Sequence, residues 1–185
     1  TFDNINYNIE FADTYIFPQG FSAVADRLRE FKGLNMLADI GNGTMNIMYI
    51  DECRPLQNKC FTEKYGTFQC MLEVRNRLLQ LGVSVNDSVI ERVIRTGTAD
   101  IDENYLNVIK ETATEYVEGI FRKLREHEYD DRIMRLYVVG GGGCMIKHFG
   151  EYNSGRVIIN SNICATAQGY EFLAKAKLEQ NGGVV

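Results

Sequence analysis

The chain has 185 residues, of which 45% are hydrophobic and 24% are charged, and its formal net charge is −5. This composition is typical of a globular protein and excludes a disordered chain. The acidic balance argues against a protein that coats nucleic acid, because binding many phosphates requires a basic surface. A single nucleotide held by backbone amides remains compatible with it.

The five cysteines are odd in number and scattered, without the paired spacing of zinc ligands. We interpret them as reduced thiols in a reducing cytosol. The sequence has neither a long apolar run nor a signal-peptide pattern. We therefore expect a cytoplasmic protein without a membrane partner.

The first part of the chain predicts mainly strands. The stretch "NYNIEFADTYIF" (residues 6–17) alternates like a strand that stops at Pro18, and "FSAVADRLREF" has helical spacing up to Gly33. Two apolar runs, "NMLADIG" and "TMNIMYID", joined by a Gly-Asn-Gly turn, predict a hairpin. A weaker third strand is predicted at "RPLQNKCFTEKY".

The second part predicts helices and then alternating strands and helices. The stretches "TFQCMLEVRNRLLQLG" and "NDSVIERVIRTG" both end at glycine, as helices commonly do, and a long amphipathic helix follows from about Asp102 to Glu126. The strand "RLYVVG", a short helix near "MIKHF", the strand "RVIIN" and a last helix in "ICATAQGYEFLAKAKLE" complete the order. This order predicts a ribonuclease-H-like α/β fold. We expect a mixed central sheet with helices on both faces and a small outer helical subdomain within about residues 67–103.

The stretch "ADIGNGTMN" (residues 38–46) is the first candidate for chemistry. It places Asp39 at the end of a buried apolar strand, before Gly41, Asn42, Gly43 and Thr44. A carboxylate there suits Mg²⁺ or a water beside phosphate oxygens, and the glycines let backbone N–H groups face a phosphate without an intervening Cβ. The alternative is an ordinary type I′ hairpin in which Asp39 accepts a hydrogen bond from the turn.

The second candidate is the glycine run in "LYVVGGGGCMI" (residues 136–146), which places Gly140, Gly141, Gly142 and Gly143 directly after an apolar strand. Four consecutive glycines are costly to order. They indicate either a sharp turn or a backbone that lies close to a nucleotide. The run is neither a dinucleotide-fold fingerprint nor a P-loop, because it lacks the spacing of both motifs.

Together the two turns resemble the C-terminal half of the actin-like ATPases, and in particular the plasmid-segregation proteins of the ParM type. The second phosphate loop of that family has the form D-x-G-x-x-T-x-D, which "DIGNGTMN" matches through Thr44. Its adenosine loop is an apolar strand followed by glycines, as in "VVGGGGCMI". Gln19 occupies the place of the family residue that positions the attacking water. The stretch "NICATAQGYEFLA" resembles the second connecting helix, whose small residues allow close packing.

The resemblance implies a role for each matching residue. Asp39 would hold Mg²⁺, directly or through water, and would act in catalysis with Gln19. Arg95 is a candidate contact to the base or ribose, and its alternative is a solvated arginine at a helix end. The nucleotide, ATP or GTP, would be held by Gly41, Asn42, Gly43, Thr44, Gly66, Gly140, Gly141, Gly142 and Gly143.

Two departures from the family pattern stand out. The last Asp of the second phosphate loop is Asn46 here, and the first phosphate loop of the N-terminal lobe, D-x-G-x-x-x-x-K, is missing. Phosphoryl transfer needs positioning and electrostatic stabilisation from both walls of a cleft. We therefore expect residues 1–185 to be the C-terminal lobe of a longer Mg²⁺-dependent ATPase, inactive alone.

The function implied by the resemblance is that of a filament-forming, bacterial, actin-like ATPase in plasmid or DNA segregation. Such a protein associates with itself and reaches DNA through an adaptor protein, without touching nucleic acid directly. Two alternatives stay open. One is a lobe of a sugar-kinase-like or phosphatase-like enzyme of the same fold, and the other is a non-catalytic scaffold.

Overall fold

A five-stranded mixed sheet organises the molecule in the computed structural model, which describes residues 3–8, 11 and 14–180. Its strands are β1 (Leu34–Ile40), β2 (Met45–Asp51), β3 (Arg54–Glu63), β4 (Arg135–Val139) and β5 (Val157–Ile159). They lie in the order β3-β2-β1-β4-β5. The first three strands are antiparallel to one another, whereas β4 runs parallel to both β1 and β5. The predicted hairpin and the weaker third strand are confirmed.

The helices follow the predicted order. They are a 3-10 helix (Ser22–Glu30), α1 (Thr67–Gln80), α2 (Asp87–Thr96), α3 (Glu103–Glu126), α4 (Gly143–Phe149) and α5 (Ala165–Gln180). The side chains of Asn86 and Asp102 accept hydrogen bonds from first-turn amides of α2 and α3, and Gly97 ends α2 with φ 79°. These are standard helix caps, which explains why the sequence located both helices well. Within the described ranges, no helix is both long and apolar enough to cross a membrane.

Helices cover both faces of the sheet, as predicted. Because successive side chains of a strand point to opposite faces, Met36 and Ala38 pack in the core beneath α1 to α4, while Leu37 packs beneath the 3-10 helix and α5. The predicted outer helices α1 and α2 bury their apolar side chains in the same core as α3. These two helices therefore pack in the same core as the central sheet.

The predicted strand at residues 6–17 is wrong for the part of it that the structure describes. Residues 9, 10, 12 and 13 lie outside the described ranges, and the others form no strand; an isolated bridge occurs at Ile5. The side chains of Phe11 and Ile16 are 88% and 93% exposed. A β-type composition makes a strand only where a neighbouring strand pairs with its backbone groups.

Helix α5 packs closely on the 3-10 helix through small residues, as predicted. A Cβ atom added at Gly169 would lie only 1.7 Å from the carbonyl oxygen of Ser22. Ala165 and Gly169 are the buried residues of α5, Leu173 is half-buried against the same core, and the side chains of Tyr170 and Phe172 are exposed. The contact therefore depends on close approach of the two backbones.

Candidate functional site

The two glycine turns leave the sheet at the same edge. Strands β1 and β4 are parallel neighbours, and Asp39 stands opposite Val139 in their register. The amide of Gly142 donates a 2.9 Å hydrogen bond to the carbonyl of Ile40, which joins the two turns directly. Ligands of open α/β sheets bind at the carboxyl ends of parallel strands, which is where these turns lie. The two turns therefore follow neighbouring strands of one sheet.

The carboxylate of Asp39 lies between two tightly bent glycines. Gly20 has φ +82° and Gly140 has φ +85°, in the left-handed region that favours glycine. A Cβ at Gly20 would lie 2.8 Å from Cβ of Asp39, and one at Gly140 would lie 2.7 Å from its Oδ1. Gln19 is exposed and directly precedes Gly20. The structure thus brings both the Gln19 turn and the glycine run close to one carboxylate.

Asp39 is a buried acid without a hydrogen-bond donor among the described residues, and it is 7% exposed. Burial raises the pKa of its carboxyl group. An isolated buried carboxylate is costly and is a common mark of a functional site. No cluster of three metal-ligating side chains occurs in the described part of the chain. A single carboxylate is enough to hold Mg²⁺, which takes one or two carboxylates and completes its shell with water and phosphate oxygens.

The loop after Asp39 is not a type I′ turn. Ile40 pairs with Met45 across four loop residues, and the amide of Gly41 donates to the carbonyl of Thr44 at 2.9 Å. Asn42 and Gly43 both keep negative φ, whereas a type I′ turn requires positive φ at its two central residues. The amides of residues 42–44 donate no hydrogen bond to any described residue. This loop therefore offers three free N–H groups beside Asp39.

The first residues of α1 hold this loop through hydrogen bonds to its carbonyl groups. The amides of Thr67 and Phe68 donate to the carbonyls of Gly41 and Asn42, at 3.1 Å and 2.9 Å. A Cβ at Gly66 would lie 2.2 Å from the carbonyl oxygen of Asn42. Close packing beneath the loop already accounts for glycine at position 66. The predicted contact of Gly66 with a nucleotide stays a prediction.

The four glycines of the run differ in the neighbours that a side chain at each position would meet. Gly140 approaches Asp39, a Cβ at Gly142 would lie 2.2 Å from Cγ2 of Ile40, and one at Gly143 would lie 3.0 Å from Cγ2 of Ile159. Packing within the chain thus explains three of them. Gly141 is exposed, its φ is not positive, and nothing lies within 4 Å of its added Cβ. Among these four, only Gly141 has no contact within the chain that requires glycine. A glycine at such a position is expected where an external ligand approaches the backbone closely.

Arg95 lies at the end of α2 that contacts α4, the helix after the glycine run. It is exposed on the last turn of α2, and no acidic side chain among the described residues pairs with it. A Cβ at the following Gly97 would lie 2.9 Å from Nδ1 of His148 in α4, so this end of α2 touches the helix that follows the glycine run. Its role as a base or ribose contact stays a prediction.

Asn46, where the family pattern has an acid, has a partner within the sheet. Its Oδ1 accepts a 2.8 Å hydrogen bond from the hydroxyl of Thr62 on β3. The residue therefore contributes to strand pairing, and the carboxylate chemistry of this loop rests on Asp39.

Two hollows lie near the sheet, one at each end of its parallel strands. One of about 240 Å³ adjoins the loop and is lined by Asn42, Thr67, Phe68, Met71, Glu91 and Ile94. Another of about 420 Å³, with Arg125, Tyr129 and Tyr152 in its lining, lies at the amino end of β4. The glycine turns lie at the carboxyl end and face an open surface. We place the candidate site at the turns, because the unpaired carboxylate and the free amides are found there.

Sequence reasoning missed two residues that shape the site. Gly20 could have been noticed, because Pro-Gln-Gly is a turn signal directly after the candidate Gln19. Tyr116 could not have been, because its hydroxyl reaches Gly66 across 50 positions of sequence. A contact of that separation has no local pattern.

The fold defines the class of protein, which is the C-terminal lobe of the actin-like superfamily. The family model described as "Archaeal actin homologue MreB-like, C-terminal" matches residues 37–151, more than half of the chain. The chain belongs to this family. No curated protein sequence matches it.

Solved structures agree with this fold. A non-polymerisable quadruple mutant of pCBH ParM has a TM-score of 0.72 and 18% identity, over 94% of this chain and 58% of that one. A ParM filament from Clostridium botulinum has a TM-score of 0.70 and 16% identity, over 94% and 57%. The archaeal actin homologue Ta0583 in complex with ADP has a TM-score of 0.61 and 20% identity, over 86% and 57%. The chain thus spans less than three fifths of each of these proteins.

The different roles of neighbouring glycines can be tested by stability. Gly142→Ala should lower the free energy of unfolding by about 1–3 kcal/mol, because its methyl group would overlap Ile40. Gly141→Ala should change it by less than about 0.5 kcal/mol, because the added methyl group meets open space. Denaturant unfolding of the two variants measures both values. Equal losses would contradict the distinction.

The burial of Asp39 predicts a pH-dependent cost in stability. Because burial raises the pKa of this carboxyl group, the folded state binds its proton more tightly than the unfolded state. The ionised form therefore destabilises the fold above the raised pKa, and the cost disappears as pH falls below the ordinary value of 3.8. Asp39→Asn should raise Tm at pH 7 by a few degrees, on the order of 1 kcal/mol, and by less at acid pH.

A matched control for this measurement is Asp51→Asn, which removes an exposed carboxylate from the same hairpin. It should leave Tm nearly unchanged at both pH values. A Tm of Asp39→Asn below that of the unsubstituted protein at pH 7 would show that the ionised carboxylate stabilises the fold, against this account.

Proposed function

We propose that this chain is the nucleotide-binding half of a filament-forming actin-like ATPase that uses ATP or GTP with Mg²⁺. One observation carries the proposal. The buried, unpaired carboxylate of Asp39 lies between two glycine bends at the ends of adjacent parallel strands, beside the free amides of residues 42–44. Backbone N–H groups favour phosphate oxygens, and a carboxylate beside them favours the accompanying metal ion.

Each residue then has a distinct task. The amides of Asn42, Gly43 and Thr44 bind the β- and γ-phosphates, while Asp39 holds Mg²⁺ or its water. The exposed Gln19, next to the bend that touches Asp39, orients the attacking water. The glycine run lies along the α-phosphate and adenosine, with Gly141 at the point of contact. Gly66 and Arg95 complete the site from α1 and α2. When bound, the metal ion neutralises charge on the transferred phosphoryl group.

The proposed protein has a second wall to its cleft. The chain spans only 57–58% of the ParM and Ta0583 chains described above, and no D-x-G-x-x-x-x-K loop occurs in its sequence. We infer that residues 1–185 form the C-terminal lobe and that an N-terminal lobe supplies the remaining phosphate contacts. Phosphoryl transfer depends on positioning from both sides, so this lobe alone is expected to be inactive.

Assembly into filaments is the second part of the proposal. Two ParM structures support it: one is a filament, and one is a mutant described as non-polymerisable. The net charge of −5 favours a role in which an adaptor protein, and not the filament, touches DNA. We therefore propose a cytoplasmic filament in plasmid or DNA segregation.

A non-catalytic scaffold is the second candidate. Asn46 replaces the acid of the family pattern and is engaged with Thr62. A lobe of a small-molecule kinase or phosphatase would need a substrate pocket with charged or polar groups facing the γ-phosphate. The hollow beside the loop has only one charged side chain in its lining, that of Glu91, and an N-terminal lobe would have to supply the rest.

Light scattering and nucleotide titration of the full-length protein test the proposal. Scattering should rise on addition of ATP or GTP with Mg²⁺ and fall as phosphate is released. Asp39→Ala should abolish phosphate release and keep much of the affinity. Gly141→Val should lower the affinity itself by about tenfold or more, because its side chain would occupy nucleotide space.

Ala174→Val is a suitable control, because it adds methyl groups to an exposed position of α5. It should leave nucleotide binding unchanged. Normal binding by Gly141→Val would show that the glycine run is not part of the site. Nucleotide binding without any scattering change would favour the scaffold or kinase functions over filaments.

A further inference from the structure

We propose that Tyr116, on α3, is a positioning residue that holds the phosphate-binding loop in shape through Gly66. This inference rests on the proposed nucleotide site and assigns one of its supports. Tyr116 is 4% exposed and lies outside the loop itself. Its hydroxyl donates a buried 2.9 Å hydrogen bond to the carbonyl of Gly66, and burial raises the pKa of this phenol.

The contact matters because Gly66 touches the loop directly. Its Cα packs so closely against Asn42 and Gly43 that a Cβ would lie 2.2 Å from the carbonyl oxygen of Asn42. The next two amides, of Thr67 and Phe68, donate to the carbonyls of Gly41 and Asn42. Because the N–H of a trans peptide points away from its C=O, holding those two carbonyls on one side orients the free amides of Asn42 and Gly43 toward the other. A shift of Gly66 therefore moves the atoms proposed to bind phosphate.

Helix α3 holds the segment before α1, residues 63–66, at further points. At its start, Oε1 of Glu63 lies 2.8 Å from Nε2 of His127, the residue that ends α3. In its middle, the ring of Tyr65 packs on that of Tyr116, with centroids 5.4 Å apart. Glu63 is also paired with Met45, which directly follows the loop. Residues 63–66, which contact the loop, are therefore held by α3 at both of their ends.

The hydroxyl of Tyr116 makes the last of these attachments, nearest the loop. Tyr116→Phe would keep the ring and its packing but leave the carbonyl of Gly66 without this partner. The carbonyl would keep the first helical bond of α1, which the amide of Cys70 donates, but it would lose the bond that ties it to α3. We expect the start of α1 and the loop above it to become more mobile while the rest of the core is unchanged.

The chain provides a matched control in Tyr129. Its hydroxyl is also buried, but it has no hydrogen-bond partner among the described residues. Tyr129→Phe therefore removes the same atom from a buried tyrosine without removing a bond. A difference between the two variants isolates the Tyr116–Gly66 bond from the general effect of deleting a phenol oxygen.

Two measurements on the full-length protein test the inference. Amide hydrogen exchange without nucleotide should show about a tenfold loss of protection at Thr67 and Phe68 in Tyr116→Phe, with protection in α2 and β4 unchanged. Titration with ATP and Mg²⁺ should show an affinity about three- to tenfold weaker. Tyr129→Phe should match the unsubstituted protein in both.

The outcomes separate this inference from the proposed function. If the unsubstituted protein binds nucleotide and Tyr116→Phe binds it equally well, the inference is wrong and the proposed function stands. A uniform loss of protection throughout the chain would show a merely structural tyrosine and would also overturn it. Failure of the unsubstituted full-length protein to bind ATP or GTP would overturn the proposed function and this inference with it.

Discussion

The parallel pairing of β1 with β4 is the constraint on which the rest of the structure depends. It brings together two turns that lie far apart in the sequence, and the bond from the amide of Gly142 to the carbonyl of Ile40 fixes their spacing. That approach is possible only because Gly140 and Gly142 have no side chains to collide with Asp39 and Ile40. The same pairing leaves Asp39 buried and unpaired at the sheet edge. The pairing of β1 with β4 therefore produces both the close backbone packing and the unpaired carboxylate.

The groups proposed to bind nucleotide lower the stability of the unliganded fold. A buried carboxylate without a donor lowers the stability of the lobe, and the three amides beside it have no partner among the described residues. A metal ion and phosphate oxygens would satisfy both at once. The surroundings of the loop, by contrast, are well satisfied: α1 holds its carbonyls, and α3 holds the start of α1. A rigid support beneath unsatisfied groups is the arrangement expected of a pre-organised binding surface.

Elements with a clear period or cap were predicted well from the sequence. The hairpin of β1 and β2 follows from two apolar runs joined by a Gly-Asn-Gly turn, α2 from the glycine at its end, and α3 from its amphipathic pattern. The predicted amino-terminal strand is wrong for the described residues, because residues such as Ile16 have strand character but no neighbouring strand pairs with their backbone there. The sequence located Asp39 and both glycine turns but could not distinguish Gly141 from its neighbours. That distinction depends on Ile40 and Ile159, which only the fold brings close.

The most direct test of the account is a crystal structure of the full-length protein with Mg²⁺ and a non-hydrolysable nucleoside triphosphate. The account predicts phosphate oxygens within hydrogen-bond distance of the amides of residues 42–44, a metal ion or its water on Asp39, and the nucleoside against Gly141. A nucleotide bound elsewhere, for example in the hollow lined by Arg125 and Tyr152 at the opposite end of β4, would contradict it.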